Sequence, residues 1–195
     1  MIKLSCMKTK VINLVGGPGS GKSTIAAGVF NLLKMSGREV ELIQEYPKEL
    51  VWEERKNTFN DSMYLFAKQA HYQYNVNNKV DYMITDRPLI MSNIYHNFWM
   101  AKSWPESWNE TFYQMVKETW DLYDNHVYYI NRVMPYDKHG RNETEYEARQ
   151  QDVMFKKVLD DYEIDYEIID GDSNAHFKIF EDIIKKEQGT NIPIL

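Results

Sequence analysis

Gly16-Gly17-Pro18-Gly19-Ser20-Gly21-Lys22-Ser23-Thr24 is the stretch on which this chain's reading turns. It matches G-x-x-x-x-G-K-[ST] in full. The apolar run over residues 10–15 precedes it, and Ile25, Val29, Leu32 and Leu33 follow at helical spacing. A glycine loop between a strand and a helix is built to hold phosphate. Its glycines admit backbone turns closed to side chains and bring amide N–H groups up to phosphate oxygens. The helix that follows adds the positive end of its dipole. Lys22 is placed to neutralise β- and γ-phosphates, and the Ser23 hydroxyl to ligate Mg²⁺. ATP and Mg²⁺ are the expected cofactors, with residues 16–24 as the nucleotide-binding set.

Outward from this loop, strand and helix alternate. A helix over 23–35 stops at Ser36-Gly37. A strand follows over 40–44, then a helix over 61–77 opened by an Asp61 cap. A third strand over 82–85 leads to helices over 89–102 and 105–123, with Pro105 suited to a first helical turn. The fourth strand is expected over 127–130 and a polar loop over 131–142. A helix over 143–162, a strand over 166–169 and a helix over 175–186 complete the pattern. Such alternation predicts an α/β fold: a five-stranded parallel sheet with helices on both faces. Ligands then gather at the C-terminal ends of the strands. One domain is expected over 9–188, with a lid at about 131–149. Residues 1–8 carry no periodic pattern and read as a disordered extension.

The bulk numbers agree with that plan. At 195 residues the chain can bury a core of its own. Hydrophobic residues at 43% and charged residues at 27% suit a globular rather than a disordered chain. A net charge of −6 argues against a general nucleic-acid coat, which needs a basic surface. Cys6 is the single cysteine, so no internal disulfide forms, and a reducing cytoplasm is the expected home. No apolar run is long enough for a membrane span. His71, His96, His126, His139 and His176 are scattered without ligand spacing, so no permanently bound metal is expected.

Two further strand ends carry chemistry. The third runs into Asp86-Arg87-Pro88, which sets a carboxylate and a guanidinium beside the phosphates. Asp86 is a candidate to hold Mg²⁺ through water, and Arg87 to reach an acceptor or the transferring group. The second runs into Glu45-Tyr46-Pro47. Glu45 is a candidate base for an attacking hydroxyl, or a group that orients it.

With these motifs in hand, the chain resembles the small P-loop kinases. These include the thymidylate and nucleoside kinases and the ribosylnicotinamide-kinase-like ATPases often found in bacteriophages. The resemblance covers about residues 9–186 and implies the three-layer sandwich of P-loop NTPases with a lid loop. By it, Glu45 matches the acceptor-side acid, Asp86-Arg87 the Asp-Arg pair, and Arg141 and Arg149 the lid arginines that close over the phosphates. Arg132 opens the same loop. Asp170, in Asp170-Gly171-Asp172, falls where such kinases contact adenine. The sequence departs from the thymidylate-kinase pattern at Pro88 and at Gln44-Glu45-Tyr46, so the acceptor differs more readily than the chemistry.

On the acceptor side, Gln69 and Gln73 share a helix face with Tyr72 nearby, and a glutamine amide suits the edge of a base. Tyr46, Gln69, Glu45 and Arg87 form the expected acceptor site. Trp52, Phe59, Tyr64 and Phe66 are stacking candidates or plain packing. The expected partner is a free nucleoside or nucleotide, with a hydroxymethylated base in DNA and a homodimer as alternatives, and no membrane. The rival class is a partner-coupled regulatory ATPase. Asn78-Lys79-Val80-Asp81 and Asp137-Lys138-His139-Gly140 spell guanine-switch motifs in the wrong order and read as coincidence.

Overall fold

The computed structural model describes residues 8–137 and 144–190. Residues 1–7 of the extension expected over 1–8, and the lid residue Arg141, lie outside them.

β1 (Lys10–Val15), β2 (Val40–Ile43), β3 (Tyr82–Thr85), β4 (Asp124–Asn131) and β5 (Glu167–Asp170) form a five-stranded sheet in the order β2-β3-β1-β4-β5. All its pairs are parallel, with Ile43, Thr85 and Asn13 in register across β2, β3 and β1. The helices are α1 (Lys22–Met35), α2 (Tyr46–Trp52), α3 (Ser62–Val76), α4 (Met91–Trp99), α5 (Glu106–Asp121), α6 (Glu145–Asp161) and α7 (Ala175–Thr190). The expected five-stranded α/β sandwich is therefore the observed one.

Alternation along β1 shows how the sheet divides the core. Ile12 and Leu14 pack with Ile25, Val29 and Leu33 of α1 and Ile179 and Ile183 of α7. Val15 turns to the other face, with Phe66 of α3, Ile94 of α4, Phe112 and Val116 of α5 and Phe155 of α6. A strand buried on both faces has no room for a polar stripe. Asn13 is its one buried polar position, satisfied in part by Nδ2 donating to Asn125 Oδ1 at 3.0 Å. Helices α1 and α7 cover one face and α3 to α6 the other. The chain thus leaves β1 over one face and β3 over the opposite face, which opens a crevice at their C-terminal ends.

Several boundaries differ from expectation. Pro105 stands just before α5 as its cap rather than in its first turn, with ψ at 145°. The helix expected over 89–102 ends at Trp99 and continues as a short 3₁₀ turn over Ala101–Ser103. β4 starts at Asp124, because Asn125 Nδ2 donates to Trp120 O at 2.7 Å and ties the polar start of the strand to the end of α5. Residues 46–60, given no element from the sequence, form α2 and the 3₁₀ turn Lys56–Asn60.

Candidate active site

The glycine loop closes between β1 and α1. Gly21 caps α1 with φ at 94°, a left-handed conformation that favours glycine, and no side chain caps the helix. The first amides of α1 are thereby left for an outside acceptor. Gly17 is required for a different reason. A Cβ there would stand 2.3 Å from Asp152 Oδ1 and 2.8 Å from the Ala148 carbonyl oxygen, so only glycine lets α6 come this close. Lys22 Nζ donates to the Gly17 carbonyl at 3.0 Å, which keeps the lysine folded back over the loop. Ser20 is buried, and its Oγ has no partner among the described residues.

Beside the loop, β3 delivers Asp86. The Ser23 hydroxyl donates to Asp86 Oδ2 at 2.5 Å. Asp86 Oδ1 is buried without a partner among the described residues, in a residue only 7% exposed. A buried carboxylate oxygen in that state calls for a cation or an ordered water. The donor set, one hydroxyl and one carboxylate beside a loop of amides, suits a hydrated Mg²⁺ carried with nucleotide phosphates. The residues therefore fit both expected cofactors.

Arg87 lies next on the chain, its backbone N–H donating to Thr85 Oγ1 at 3.1 Å. Its guanidinium stacks 4.4 Å above the Tyr95 ring of α4. Tyr95 meets Phe155 of α6 edge-on, with ring centroids 5.7 Å apart. Arg87 is thus held on an aromatic shelf at the crevice, in reach of favourable cation–ring attraction.

From the far side, α6 closes on the loop. Asp152 Oδ1 accepts the Gly17 N–H at 2.7 Å. Arg132, just past β4, donates from Nε to Asp152 Oδ2 at 2.9 Å and from Nη2 to Oδ1 at 3.2 Å. Tyr129 Oη donates to the backbone carbonyl of Asp152 at 2.9 Å. Burial, then the Asp152 charge, pushes the Tyr129 phenol up to about 12, so it stays a donor at neutral pH. Gly171 approaches from the end of β5: a Cβ there would lie 2.5 Å from Ser20 O. Asp170 beside it accepts from Asn131 Nδ2 at 2.8 Å.

Other expected residues sit farther from the loop. Glu45 is half-buried at the end of β2, one strand beyond β3. Tyr46 is buried, its ring packing with Leu50 and Leu65 and its hydroxyl 2.9 Å from Tyr64 Oη. Its backbone N–H donates to Gln69 Oε1 at 3.3 Å. Gln69 and Gln73 are each 1% exposed, and the Nε2 of both lacks a partner among the described residues. Phe66 belongs to the core, whereas Trp52 points to solvent. Arg149 is not brought to the loop: it pairs with Glu145 one turn away at 2.8 Å on the exposed face of α6. Among the described residues no group of His, Cys, Asp and Glu is arranged to hold a metal by itself.

Asp152 was not singled out from the sequence. Its only signal is Ala148 four residues earlier, a small residue that lets a helix approach glycines, and such spacing is too common to be read alone.

A doubly covered parallel sheet, a glycine loop on its first strand and a strand-end aspartate against the loop serine define a P-loop fold of the small-kinase type. The chain belongs to the family described as AAA domain, which matches residues 11–175. Its fold is similar to that in the crystal structure of NadR protein in complex with NR. There the TM-score is 0.64 and the identity 18%, over 96% of this chain and 54% of that one. The chain thus spans about half the length of that protein. It is also similar to deoxyadenosine kinase from M. mycoides with bound dATP, with a TM-score of 0.53 and 17% identity, over 91% of this chain and 99% of that one. No curated protein gives a significant sequence match.

Proposed function

We propose that the chain is an ATP-dependent kinase that hands the γ-phosphate to a hydroxyl or phosphate of a nucleoside- or nucleotide-type acceptor. The observation that carries this reading is the 2.5 Å Ser23–Asp86 pair beside the glycine loop, with the second Asp86 oxygen buried and unpaired. Bound with the nucleotide, Mg²⁺ supplies charge neutralisation on the transferring oxygens. Ser23 and Asp86 are the residues that would hold that ion. Lys22 and the first amides of α1 hold the β- and γ-phosphates.

On the acceptor side, Glu45 takes the proton of the attacking hydroxyl as its oxygen bonds to the γ-phosphorus. The bond from that phosphorus to the bridging oxygen breaks, and the electron pair leaves on ADP. Arg87 and Arg132 offset charge that spreads over the transferring oxygens. Arg141 and Arg149 join them by resemblance to lid arginines. For Arg149 the exchange of Glu145 for phosphate is cheap, because an exposed ion pair contributes only about 0–1 kcal/mol. Asp170 is the candidate contact for the nucleotide base.

The unpartnered Nε2 groups of Gln69 and Gln73 support an acceptor with a base edge to read. The net charge of −6 weighs against an acceptor embedded in DNA. The likeness to NadR with NR and to a deoxyadenosine kinase supports a small acceptor. A phage source and a role in hydroxymethylpyrimidine modification rest on resemblance alone, and a cytoplasmic site of action rests on the single cysteine. No described helix is long and apolar enough to cross a membrane.

The test is transfer of labelled γ-phosphate from ATP with Mg²⁺ to a panel of nucleosides, nucleotides, ribosylnicotinamide and hydroxymethylated DNA. Label on one panel member establishes the kinase and names the acceptor. Release of free phosphate, unchanged by every acceptor, replaces this reading with a partner-coupled ATPase.

A further inference from the structure

Arg132 has three nitrogens to place, and Asp152 takes two of them. Nε and Nη2 form a fork on the carboxylate at 2.9 and 3.2 Å. Nη1 is left over. It is buried with no hydrogen-bond partner among the described residues, on a side chain only 5% exposed. It lies 3.1 Å from where a Cβ on Gly19 would stand, so it faces the glycine loop where phosphate is expected. Tyr136 covers the guanidinium from the side, 5.7 Å from ring centre to Cζ. A buried guanidinium N–H without an acceptor is costly, and an anion in the loop would satisfy it.

The carboxylate is as firmly placed as the guanidinium. Gly17 N–H holds Oδ1 at 2.7 Å, and Tyr129 Oη holds the same residue's carbonyl at 2.9 Å. Two elements at the C-terminal end of the sheet, the loop after β1 and strand β4, therefore fix Asp152 before any ligand arrives. A planar fork seated on a fixed carboxylate has one free direction for its remaining nitrogen.

We propose that Asp152 is a positioning residue that aims Arg132 Nη1 at a phosphate oxygen in the glycine loop. The pair delivers a directed donor with little net charge, so recognition here depends on geometry rather than on bulk positive potential. This inference rests on reading the loop as a nucleoside-triphosphate site. The opposite possibility is that Asp152 is a stand-in anion that incoming phosphate must evict. The two differ in sign: a positioning acid strengthens phosphate binding and an occupying acid weakens it.

The experiment is calorimetric binding of Mg-ATP and of tripolyphosphate, with no acceptor present, together with a thermal melt of each variant. Asp152→Asn keeps the size and one acceptor oxygen for Gly17 N–H but loses the two-oxygen seat for the fork. We expect it to weaken both ligands roughly tenfold or more. Arg132→Ala weakens them at least as much, and adding Asp152→Asn to it causes no further loss. Tighter or unchanged binding in Asp152→Asn overturns the inference, and so does an additive loss in the double variant. Should Asp152→Asn fail to fold, Arg132→Lys carries the test: lysine keeps the charge but cannot bridge both sites. Binding weakened as in Arg132→Ala supports the positioning role, and wild-type affinity with lysine overturns it. Since no acceptor is involved, binding shifts of this kind with no transfer to any panel member would remove the kinase reading and leave the inference standing.

Discussion

Ser23 and Asp86, 63 residues apart in the chain, meet through a 2.5 Å hydrogen bond from the serine hydroxyl to the carboxylate. The contact exists because β3 lies directly beside β1, with its last residue Thr85 level with Asn13, so Asp86 follows alongside the strand that leads into the loop. The second carboxylate oxygen stays buried and has no partner among the described residues, so the pair is open to a further one.

Asp86→Asn should therefore lower phosphoryl transfer on the order of a hundredfold while leaving the melting temperature nearly unchanged. A Mg²⁺ titration checks this: the variant needs more Mg²⁺ to reach half its rate. An unshifted titration curve would remove Asp86 from the ion's site.

Glu45 and Lys22 should separate by kinetics. Lys22→Ala abolishes transfer, because the lysine meets the phosphates themselves. Glu45→Gln lowers kcat with the true acceptor and leaves ATP affinity intact, as loss of a base acting in the transition state requires. Steady-state rates against both substrates decide it; an intact kcat in Glu45→Gln would mean that the base lies elsewhere.

Gly17→Ala places a methyl group 2.3 Å from Asp152 Oδ1 and 2.8 Å from a backbone oxygen of α6. Backbone cannot move aside as a side-chain tip can, so the helix must shift. We expect a loss of about 1–3 kcal/mol in urea unfolding, as overpacking commonly costs. Nucleotide affinity should fall with it. Gly37, whose neighbourhood is open, is no such packing site.

Stability should fall at both ends of the pH scale through the contacts that bind α7 to the sheet. Burial alone would raise the Glu187 carboxyl, but hydrogen bonds from Arg38 and Tyr82 outweigh it and hold the pKa below the ordinary value. Asp182 behaves alike: burial opposes, while Lys186 and Tyr128 prevail. A carboxylate lowered in the folded state stabilises above its unfolded pKa of about 4, and that contribution is lost as pH falls through it. The phenols run the other way. Burial first, then the Glu187 bond, raises Tyr82; burial, then Asp182, raises Tyr128. Their contribution is complete below the unfolded pKa of about 10 and is lost as pH climbs beyond it. Urea midpoints measured from acid to alkaline pH, with phenolate absorbance, should show both slopes. Tyr82→Phe together with Tyr128→Phe should flatten the alkaline one.

The fold was legible because its signals are local. The glycine loop, the continuous apolar run of β1 and the Asp61 cap, whose carboxylate accepts the Tyr64 N–H at 2.9 Å, are all written over a few residues. Thr144 and Glu147 spell a capping box in the same local way, yet the helix was expected to begin at 143 rather than at Glu145. The stretch from Tyr46 to Asn60 was not legible, since α2 is a seven-residue helix held mainly by Tyr46 and Leu50 against α3. Tertiary packing supplies what its pattern lacks. Of the site, Lys22, Ser23 and Asp86 could be read from motif and strand end. Asp152 could not, because its role comes from Gly17 and Arg132, which are 135 and 20 residues away.

Arg38 and Glu187 join the chain across 149 residues, and Tyr82 reaches the same carboxylate across 105. Helix α1 is synthesised early, yet the partner that covers its side of the sheet emerges only after every strand has been made. Until then that face, with Tyr128 and Ile130 of β4 on it, has α1 as its only cover among the described helices, and an apolar face left partly bare invites association with other chains. The late arrival of α7 makes the closing of that face the slowest kind of contact to gather, one formed between distant parts of the chain. During synthesis, the phosphate loop can gain its final shape only after a long wait, and a chaperone that shields the α1 side would serve this protein better than one acting on the opposite layer.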